Sequence, residues 1–235
     1  DECDLVGFTQ ELASFGTSKT LASAQKLFAK SGILFNVAFF KNKSKNNYTM
    51  SWPVFETNLP VSEYRKVRRN NDYYDADFYH VGIGFRKLYF DKLDLECAFY
   101  RNKKGIQSLS FDSQHAYMKS FNIMPTLHIE KNDFIFKGLE MKSSLVIPII
   151  QTSLIDTTTT RRQWDGTITQ AMGETEDNLL NESHNRQFEL RNKFNLKYTF
   201  GQHTFNINDQ LALSDYRPKD ERMNDYLGFD PSSFP

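Results

Sequence analysis

The chain has 235 residues, and its 29 basic and 29 acidic side chains cancel to a formal net charge of zero. This neutrality excludes a dedicated nucleic-acid binder, because such domains carry an excess of positive charge. No stretch approaches the roughly 18 consecutive apolar residues of a transmembrane helix, although a transmembrane β-barrel, which needs an apolar residue only at every second position, is compatible with the composition.

The aromatic and cysteine content is consistent with β-structure. The chain contains 21 Phe and 11 Tyr, which suits both the aromatic girdles of a membrane barrel and the core of a soluble β-sandwich. Cys3 and Cys97 are too few for a disulfide framework and lack zinc-ligand spacing. The first ten residues show no secretory signal, so we expect either a cytoplasmic chain or a sequence that starts after its natural N-terminus.

The N-terminal part is predicted to be a run of antiparallel strands. Residues 4–15 and 20–30 are expected to pair across the FGTS turn, and KSG at 30–32 turns the chain into a third strand. The stretch 18–31 also has the Ala and Lys content of a helix, but its alternation and its strand neighbours favour a strand. The apolar residues on one face of the third strand are Ile33, Phe35, Val37 and Phe39.

Two further hairpins are predicted in the middle of the chain. One joins residues 79–85 and 93–99, which both alternate between apolar and polar positions. The other has its turn at 131–133, and Phe134 and Phe136 open its return strand. Pro125 and Pro148 are expected at strand ends or in distorted stretches, because proline cannot donate to the ladder.

The most informative pattern lies at residues 188–213, where apolar and polar residues alternate on both sides of a predicted three-residue turn at 201–203. Strands of about ten to fourteen residues exceed the usual soluble length and match what a tilted strand needs to cross a bilayer. The residues expected to face lipid are Phe194, Leu196, Tyr198, Phe205, Ile207 and Leu211.

The predicted connections fall into two classes. Short turns are expected at 30–32, 88–92, 131–133 and 201–203, and long polar links near 53–75, 104–121, 156–186 and from 217 onward. This alternation is typical of outer-membrane barrels, with short periplasmic turns and long extracellular loops, and not of a Greek-key sandwich. The acidic stretch 172–187 is expected at a loop tip, where a short helix would also fit. Because no repeat or linker is seen, residues 1–235 are predicted to form a single, incomplete barrel domain.

A series of stretches along the chain carries a resemblance to a known family. In order, they read ELASFGTSKT, FNVAFFKNKSKNNYTM, PVFETN, VRRNNDYYDADFYHVGIGF, ECAFYRNKKGIQ, FNIMPTLHIEKNDFIFKGLEM and RRQWDG. Together they resemble the early part of the barrel of TonB-dependent outer-membrane receptors. The likeness extends from about residue 11 to residue 217.

The resemblance implies an all-β, antiparallel up-and-down transmembrane β-barrel, of which this chain supplies about nine of about 22 strands. It also implies import of a scarce nutrient such as a ferric siderophore, energised through TonB, in the cell outer membrane of a Gram-negative bacterium. The expected partners are outer-membrane lipid, lipopolysaccharide and the TonB system, which acts through a plug not present in this chain.

The chain departs from the family in two ways. Neither a plug nor a TonB box is seen in it, and its last residues, DYLGFDPSSFP, do not match a closing barrel strand. An open sheet would leave two edges unpaired, and unpaired backbone groups in lipid cost several kcal/mol each. We therefore expect a portion of a longer receptor, or a sheet that is completed by other outer-membrane proteins.

No catalytic constellation is found, so neither an enzyme nor a bound cofactor is expected. The five histidines are scattered without the spacing of a metalloprotease. Asp72, Asp75 and Asp77 have the spacing of a calcium loop but lack its glycine and its terminal glutamate. A metal site there is the less favoured alternative.

Basic and aromatic clusters on two long links are the candidate ligand-binding residues. Arginine forks suit carboxylate or phosphate groups, and tyrosines supply flat contact area. Contact with lipopolysaccharide phosphates or with solvent is the alternative for both clusters. The candidates are Arg65, Lys66, Arg68, Arg69, Tyr73 and Tyr74 on the first link, and Arg161, Arg162 and Trp164 on a later one.

Three classes of function are therefore open. The favoured one is a receptor that transports a nutrient. The second is a receptor-like barrel that acts as a structural or interaction subunit of a multiprotein outer-membrane complex. The third is a soluble, β-rich binding domain such as a lectin-like sandwich. The first two share a fold, so fold alone does not separate them.

Overall fold

The computed structural model describes residues 4–56, 59–86, 88–107, 112–157, 161–164, 166–169 and 181–220. All regular secondary structure in these ranges is β-strand, as the alternating sequence predicts. Among the same residues, no helix has the length and apolar character needed to cross a membrane.

Fourteen strands occur in this part of the chain. They are β1 (Leu5–Ala13), β2 (Thr17–Phe28), β3 (Ile33–Ser44), β4 (Thr49–Glu56), β5 (Leu59–Arg68), β6 (Tyr74–Phe85), β7 (Lys92–Gly105), β8 (Tyr117–Lys131), β9 (Leu139–Val146), β10 (Ile149–Asp156), β11 (Arg161–Arg162), β12 (Ile168–Thr169), β13 (Asn181–Phe200) and β14 (His203–Asp220). Because β2 is a strand, the prediction of a strand over a helix in this stretch is confirmed.

Ten of the strands form one antiparallel sheet in the order β1-β2-β3-β6-β7-β8-β10-β13-β14, with β9 placed between β8 and β13 beside β10. Neighbours in the sheet follow chain order, so the predicted antiparallel up-and-down meander is confirmed. The hairpins β4-β5 and β11-β12 lie outside the sheet, within two of the long links. The sheet is open in the described residues, with β1 and β14 at its edges.

Two prolines interrupt the ladder without shifting its register. Pro148 separates β9 from β10, yet both strands keep one register against β8 and β13 and so act as a single long strand. Pro125 lies inside β8 and not at a strand end, contrary to one of the expectations above. Its carbonyl accepts a hydrogen bond from the Ile147 amide at 3.0 Å, and that of Pro148 accepts one from Glu189 at 2.9 Å. The sheet therefore loses only the two backbone N–H donors that Pro125 and Pro148 lack.

The turn after β8 is longer than predicted. Residues 132–138 connect β8 to β9, so the prediction that Phe134 and Phe136 open the return strand is wrong. Asp133 has a φ of 51° and Gly138 a φ of 86°, which a continuing strand does not allow. The Asp133 carboxylate accepts a hydrogen bond from the Gly138 amide at 2.6 Å and closes the turn.

The last hairpin is longer than predicted and its turn is tighter. β13 has 20 residues and β14 has 18. Residues 181–187, predicted at a loop tip, belong to β13 and pair with β10 and β14. The turn has two residues, not three. Gly201, with a φ of 57°, is its first central residue, as a type II′ hairpin turn requires.

The strand register divides the sheet into two faces. One row across the sheet joins Phe39, Tyr79, Phe99, Ile123, Ile149 and Phe188 as successive partners. We call the face with this row the apolar face and the opposite one the polar face. The six residues predicted to face lipid share the apolar face, where Leu196 lies opposite Ile207 and Tyr198 opposite Phe205.

The apolar face is the more exposed of the two in the central strands. Exposed apolar side chains there are Phe35 (45%), Val37 (50%), Val81 (47%) and Leu95 (47%), while buried residues of the polar face are Leu34 (5%), Ala76 (2%), Asp94 (7%) and Ala98 (7%). On the apolar face, the buried exceptions are Leu139 and Met141 near the 132–138 turn and Asp77 near the other end of the sheet. This distribution is the reverse of that in a soluble sheet whose apolar face packs on a core.

Substitution of Gly138 by alanine is expected to destabilise the turn after β8. A Cβ at Gly138 would lie 2.9 Å from the Thr199 carbonyl oxygen, and the positive φ adds strain. We expect a loss of about 2–3 kcal/mol in the free energy of unfolding, measured by denaturant titration. Gly201→Ala is the matched control, because its φ is also positive but no atom lies within 4 Å of the added Cβ. Equal losses in the two variants would contradict the clash with Thr199.

Candidate functional site

The long links lie together at one end of the sheet. They connect β3 to β6, β7 to β8 and β10 to β13, whereas the opposite end has the turns at 29–32, 86–91, 132–138 and 201–202. The short turn at 14–16 lies on the long-link side, where the Phe15 carbonyl accepts a hydrogen bond from the Lys45 amide at 3.1 Å. The predicted sorting of short and long connections is thus found in the described residues.

Asn71 joins two of the long links. Its side chain is 4% exposed, and its Nδ2 donates to the carbonyls of Ile106 at 3.1 Å and Ala116 at 2.6 Å. The backbone N–H of Asn71 also donates a hydrogen bond to the Gln107 Oε1 at 3.0 Å. A Cβ on Gly105 would lie 2.7 Å from the Asn71 carbonyl oxygen, so only glycine allows this approach. The link after β5 and the link after β7 therefore form one unit.

Asp112 joins a third link to this unit. Its carboxylate accepts hydrogen bonds from Gln114 at 3.0 Å and from Asn70 at 3.4 Å. Its backbone amide donates to the Arg162 carbonyl at 2.7 Å. Three long links that are distant in sequence thus form one unit at this end of the sheet, which we call the platform. The platform consists of residues 69–73, 105–107, 112–116 and 161–164.

The predicted basic cluster before residue 70 lies on the β4-β5 hairpin and is split between its two faces. In the hairpin Arg65 pairs with Trp52, and Lys66 pairs with Ser51. Val67 is 4% exposed, so the face of β5 that carries Val67 is the covered one. Lys66 and Arg68 therefore project from the other face, and both are exposed.

Arg69 is held within the molecule. It forms an ion pair with Asp72 at 3.0 Å, and its Nη1 donates to the Tyr48 hydroxyl at 2.9 Å. Its guanidinium lies 5.5 Å from the centre of the Tyr48 ring, which in turn packs on Phe15. This clamp fixes the base of the β4-β5 hairpin. Of the predicted arginines in this link, Arg69 is therefore the least available to an external ligand.

Tyr73 and Tyr74 point to opposite sides. The Tyr74 hydroxyl lies 2.9 Å from that of Tyr100 on the polar face. The Tyr73 ring instead lies 5.6 Å from the Lys103 ammonium. The two tyrosines therefore make different contacts, although both line the groove described below.

The second predicted cluster lies on the short hairpin β11-β12. Arg161 and Arg162 pair with Thr169 and Ile168, and Trp164 lies in the turn between them. The carbonyl of Arg162 is the acceptor that joins this hairpin to Asp112. A ligand-binding role for the three residues remains a prediction.

A basic groove of about 700 Å³ lies where the apolar face ends toward the long links, and the sequence did not single it out. Asp77, which is 4% exposed, accepts a hydrogen bond from Lys41 at 2.9 Å and one from Arg101 at 2.7 Å. The cations that line the groove are Lys41, Lys43, Lys45, Arg101, Lys103 and Lys119.

One feature of the sequence marks this groove. Along β3 the phase of Phe35, Val37 and Phe39 continues into Lys41 and Lys43, and β7 makes the same change from Phe99 to Arg101. A switch from apolar to charged residues within one phase identifies the end of the apolar face on each strand. Which charges become neighbours depends on the register between strands.

The three carboxylates with calcium-like spacing do not converge. Asp72 pairs with Arg69, Asp75 lies 3.5 Å from Lys41, and Asp77 pairs with Lys41 and Arg101. No group of three or more candidate metal ligands occurs among the described residues. Each carboxylate balances a cation of the protein itself.

Comparisons with protein-family models, with curated proteins and with solved structures give no significant match to this chain.

Substitution of Asn71 by alanine is expected to loosen the platform. It removes the side-chain donor from the Ile106 carbonyl and one of the two donors of the Ala116 carbonyl, at a cost of about 2 kcal/mol in the free energy of unfolding. Limited proteolysis within residues 105–117 should accelerate in the same variant. Asn70→Ala is the control, because Asn70 is exposed and its side-chain bonds to Asp112 are long, at 3.4 Å. If both variants behave alike, Asn71 does not have the role assigned here.

Proposed function

We propose that this chain is part of the barrel of an outer-membrane receptor that imports a scarce nutrient such as a ferric siderophore with energy supplied through TonB. The observation that carries the proposal is the exposure of the apolar face together with the crowding of the polar face. In this proposal the apolar face meets lipid hydrocarbon, and the polar face lines the lumen.

The apolar face is unfavourable in water. Burying a Val, Leu, Ile or Phe side chain is worth about 1.5–3 kcal/mol, and apolar residues of this face remain exposed on strands from β1 to β14. A soluble monomer rarely leaves such a large apolar patch uncovered. A lectin-like sandwich would cover it with a second sheet, and no such sheet occurs among the described residues. Hydrocarbon meets the same need without another protein layer.

The polar face suits a wet or protein-filled lumen. Cross-strand ion pairs lie on it, including Lys197 with Glu140 at 3.2 Å and Lys142 with Glu130 at 3.1 Å. Polar residues of β13 such as Lys193 and Asn195 have the phase of this face. In this orientation the short turns are periplasmic and the platform of long links faces outside.

The open edges support a completed sheet. β1 and β14 each present one row of unpaired backbone groups among the described residues, and such groups cost several kcal/mol each in hydrocarbon. Further strands beside both edges would satisfy them. The same edges favour the second candidate function, in which the barrel is a subunit of a multiprotein outer-membrane complex.

A charge placed on the apolar face is expected to impair membrane assembly. Leu196 lies in the apolar stretch of β13 between Met141 of β9 and Ile207 of β14, so Leu196→Arg should cost about 2–4 kcal/mol in the free energy of insertion. Asn195→Arg on the polar face is the matched control and should cost less than about 1 kcal/mol. The measurement is the folded fraction recovered in outer membranes. Folded wild-type protein in the soluble fraction would contradict the proposal.

Removal of the exposed cations of the β4-β5 hairpin is expected to weaken uptake. The variant Arg65→Ala, Lys66→Ala, Arg68→Ala leaves the Arg69 clamp intact. We expect on the order of a tenfold loss of uptake of an anionic nutrient, because several charge-assisted contacts are removed. The assay is growth of a deletion strain, complemented with each variant, on ferric siderophores as the iron source, with cobalamin and glycans tested in parallel.

Lys137→Ala is the control for uptake, because Lys137 is exposed at the short-turn end. Unchanged uptake in the triple variant would exclude the hairpin as a ligand contact. A deletion strain without any uptake defect, together with a stoichiometric complex in pull-downs, would favour the structural subunit over the transporter.

A further inference from the structure

Two rows of charged residues cross the strands at the basic groove. In the first row Lys43, Asp75, Lys103 and Lys119 are successive register partners. In the second row Lys41, Asp77 and Arg101 are partners in the same way. Cross-strand partners on one face lie about 5 Å apart, so the two rows form a continuous charged surface on the apolar face.

Carboxylates neutralise only part of this surface. Six cations and two carboxylates line the groove, which leaves an excess of four positive charges in a chain whose net charge is zero. Asp77 is shared by Lys41 and Arg101, and Asp75 lies 3.5 Å from Lys41 and 3.7 Å from Lys43. Lys45, Lys103 and Lys119, which do not pair with these two carboxylates, therefore carry three of the four excess charges.

Lys103 and Lys119 have no carboxylate partner among the described residues. They lie directly opposite each other on β7 and β8, and like charges in that position destabilise a sheet. The Tyr117 ring lies near both ammonium groups, 4.3 Å from that of Lys103 and 5.1 Å from that of Lys119. An anion between the two lysines would remove the repulsion.

The next row along the strands is aromatic. Phe39, Tyr79 and Phe99 follow two residues below Lys41, Asp77 and Arg101, which is a distance of about 7 Å along a strand. The rings of Phe39 and Tyr79 are in contact, with centroids 5.1 Å apart. A molecule lying along this face would meet apolar side chains first and cations immediately beyond them. That order matches an amphiphile with an anionic head.

We propose that Lys103 and Lys119, with Arg101 beside them, bind the phosphate of a phosphorylated membrane lipid whose acyl chains lie against the apolar face. Lysine ammonium groups act as point charges toward phosphate, and the exposed Arg101 side chain, whose Nε and Nη2 already contact Asp77, adds positive charge beside them. In the orientation described above, the groove lies at the level of the outer-leaflet head groups. The inference rests on the proposed function, because it needs hydrocarbon at the apolar face.

The test compares neighbouring lysines on opposite faces. The intact natural protein is reconstituted into phosphatidylcholine nanodiscs that contain bisphosphorylated lipid A, and the lipid A retained by the protein is measured by native mass spectrometry. In Lys103→Gln, Lys119→Gln retention should fall by on the order of tenfold, and arginine at both positions should preserve it. Lys104→Gln is the control, because Lys104 is equally exposed but lies on the polar face.

The outcomes separate this inference from the proposed function. Insertion of the protein into nanodiscs without any preference for lipid A over its dephosphorylated form would overturn the phosphate site and leave the barrel intact. Failure to insert into any bilayer would overturn both. If inorganic phosphate at millimolar concentration displaces lipid A fully, the groove is a site for a free anion and the lipid assignment is wrong. Equal losses in the Lys104→Gln control would show a general charge effect and would also overturn the assignment.

Discussion

The rest of this structure depends on one constraint. Apolar and polar residues alternate along the strands, and the apolar face of the sheet is the more exposed one. In the central strands Val37 and Val81 are about half exposed while Ala76 and Ala98 are buried. The glycines at 82 and 84 lie on the buried side, where Asn36 and Asp94 reach over them. In a soluble protein the apolar face of a sheet is usually the covered one, and here it is the exposed one. The proposed function depends on what covers this apolar face.

The platform and the basic groove belong to the same end of the sheet but depend on different interactions. The platform is centred on the buried Asn71, whose side chain donates neutral hydrogen bonds to two backbone carbonyls. Such bonds tolerate burial because both partners are satisfied. The groove is built from charges that remain partly exposed, and Asp77 alone among them is deeply buried. A rigid frame thus lies beside a charged surface that is still accessible.

Much of the fold was predictable because strand alternation is a local property of the sequence. The choice of strand over helix for β2 was correct, as was the one-faced character of the hairpin at 188–213. The errors were at turns. Phe134 and Phe136 fit alternation, but the positive φ of Asp133 and the hydrogen bond to Gly138 end the strand before them. Such turn chemistry depends on a few residues and is masked by an uninterrupted apolar pattern.

The candidate site was predictable only in part. The basic run at 64–69 was visible as a string of cations, yet pairing with β4 placed Lys66 and Arg68 on one face and the Arg69 clamp elsewhere. Asn71 gave no sign of its role, because its acceptors at 106 and 116 are distant in sequence. The contact between Asp112 and the carbonyl of Arg162 was not predictable either, because these residues are also distant in sequence. The strands at the ends of their links bring them together.

The sequence by itself determined most strands of the large sheet, their two faces, their up-and-down order and the separation of short turns from long links, but not the small hairpins β4-β5 and β11-β12 inside those links. These properties come from a period of two residues and from turn-forming residues, both of which act over short distances. The tertiary structure alone decided which charges meet, since Lys103 and Lys119 become neighbours only when β7 and β8 adopt one register. A shift of one residue would have moved either lysine to the other face. Register, which depends on contacts across the whole sheet, therefore decided where the charged surface lies.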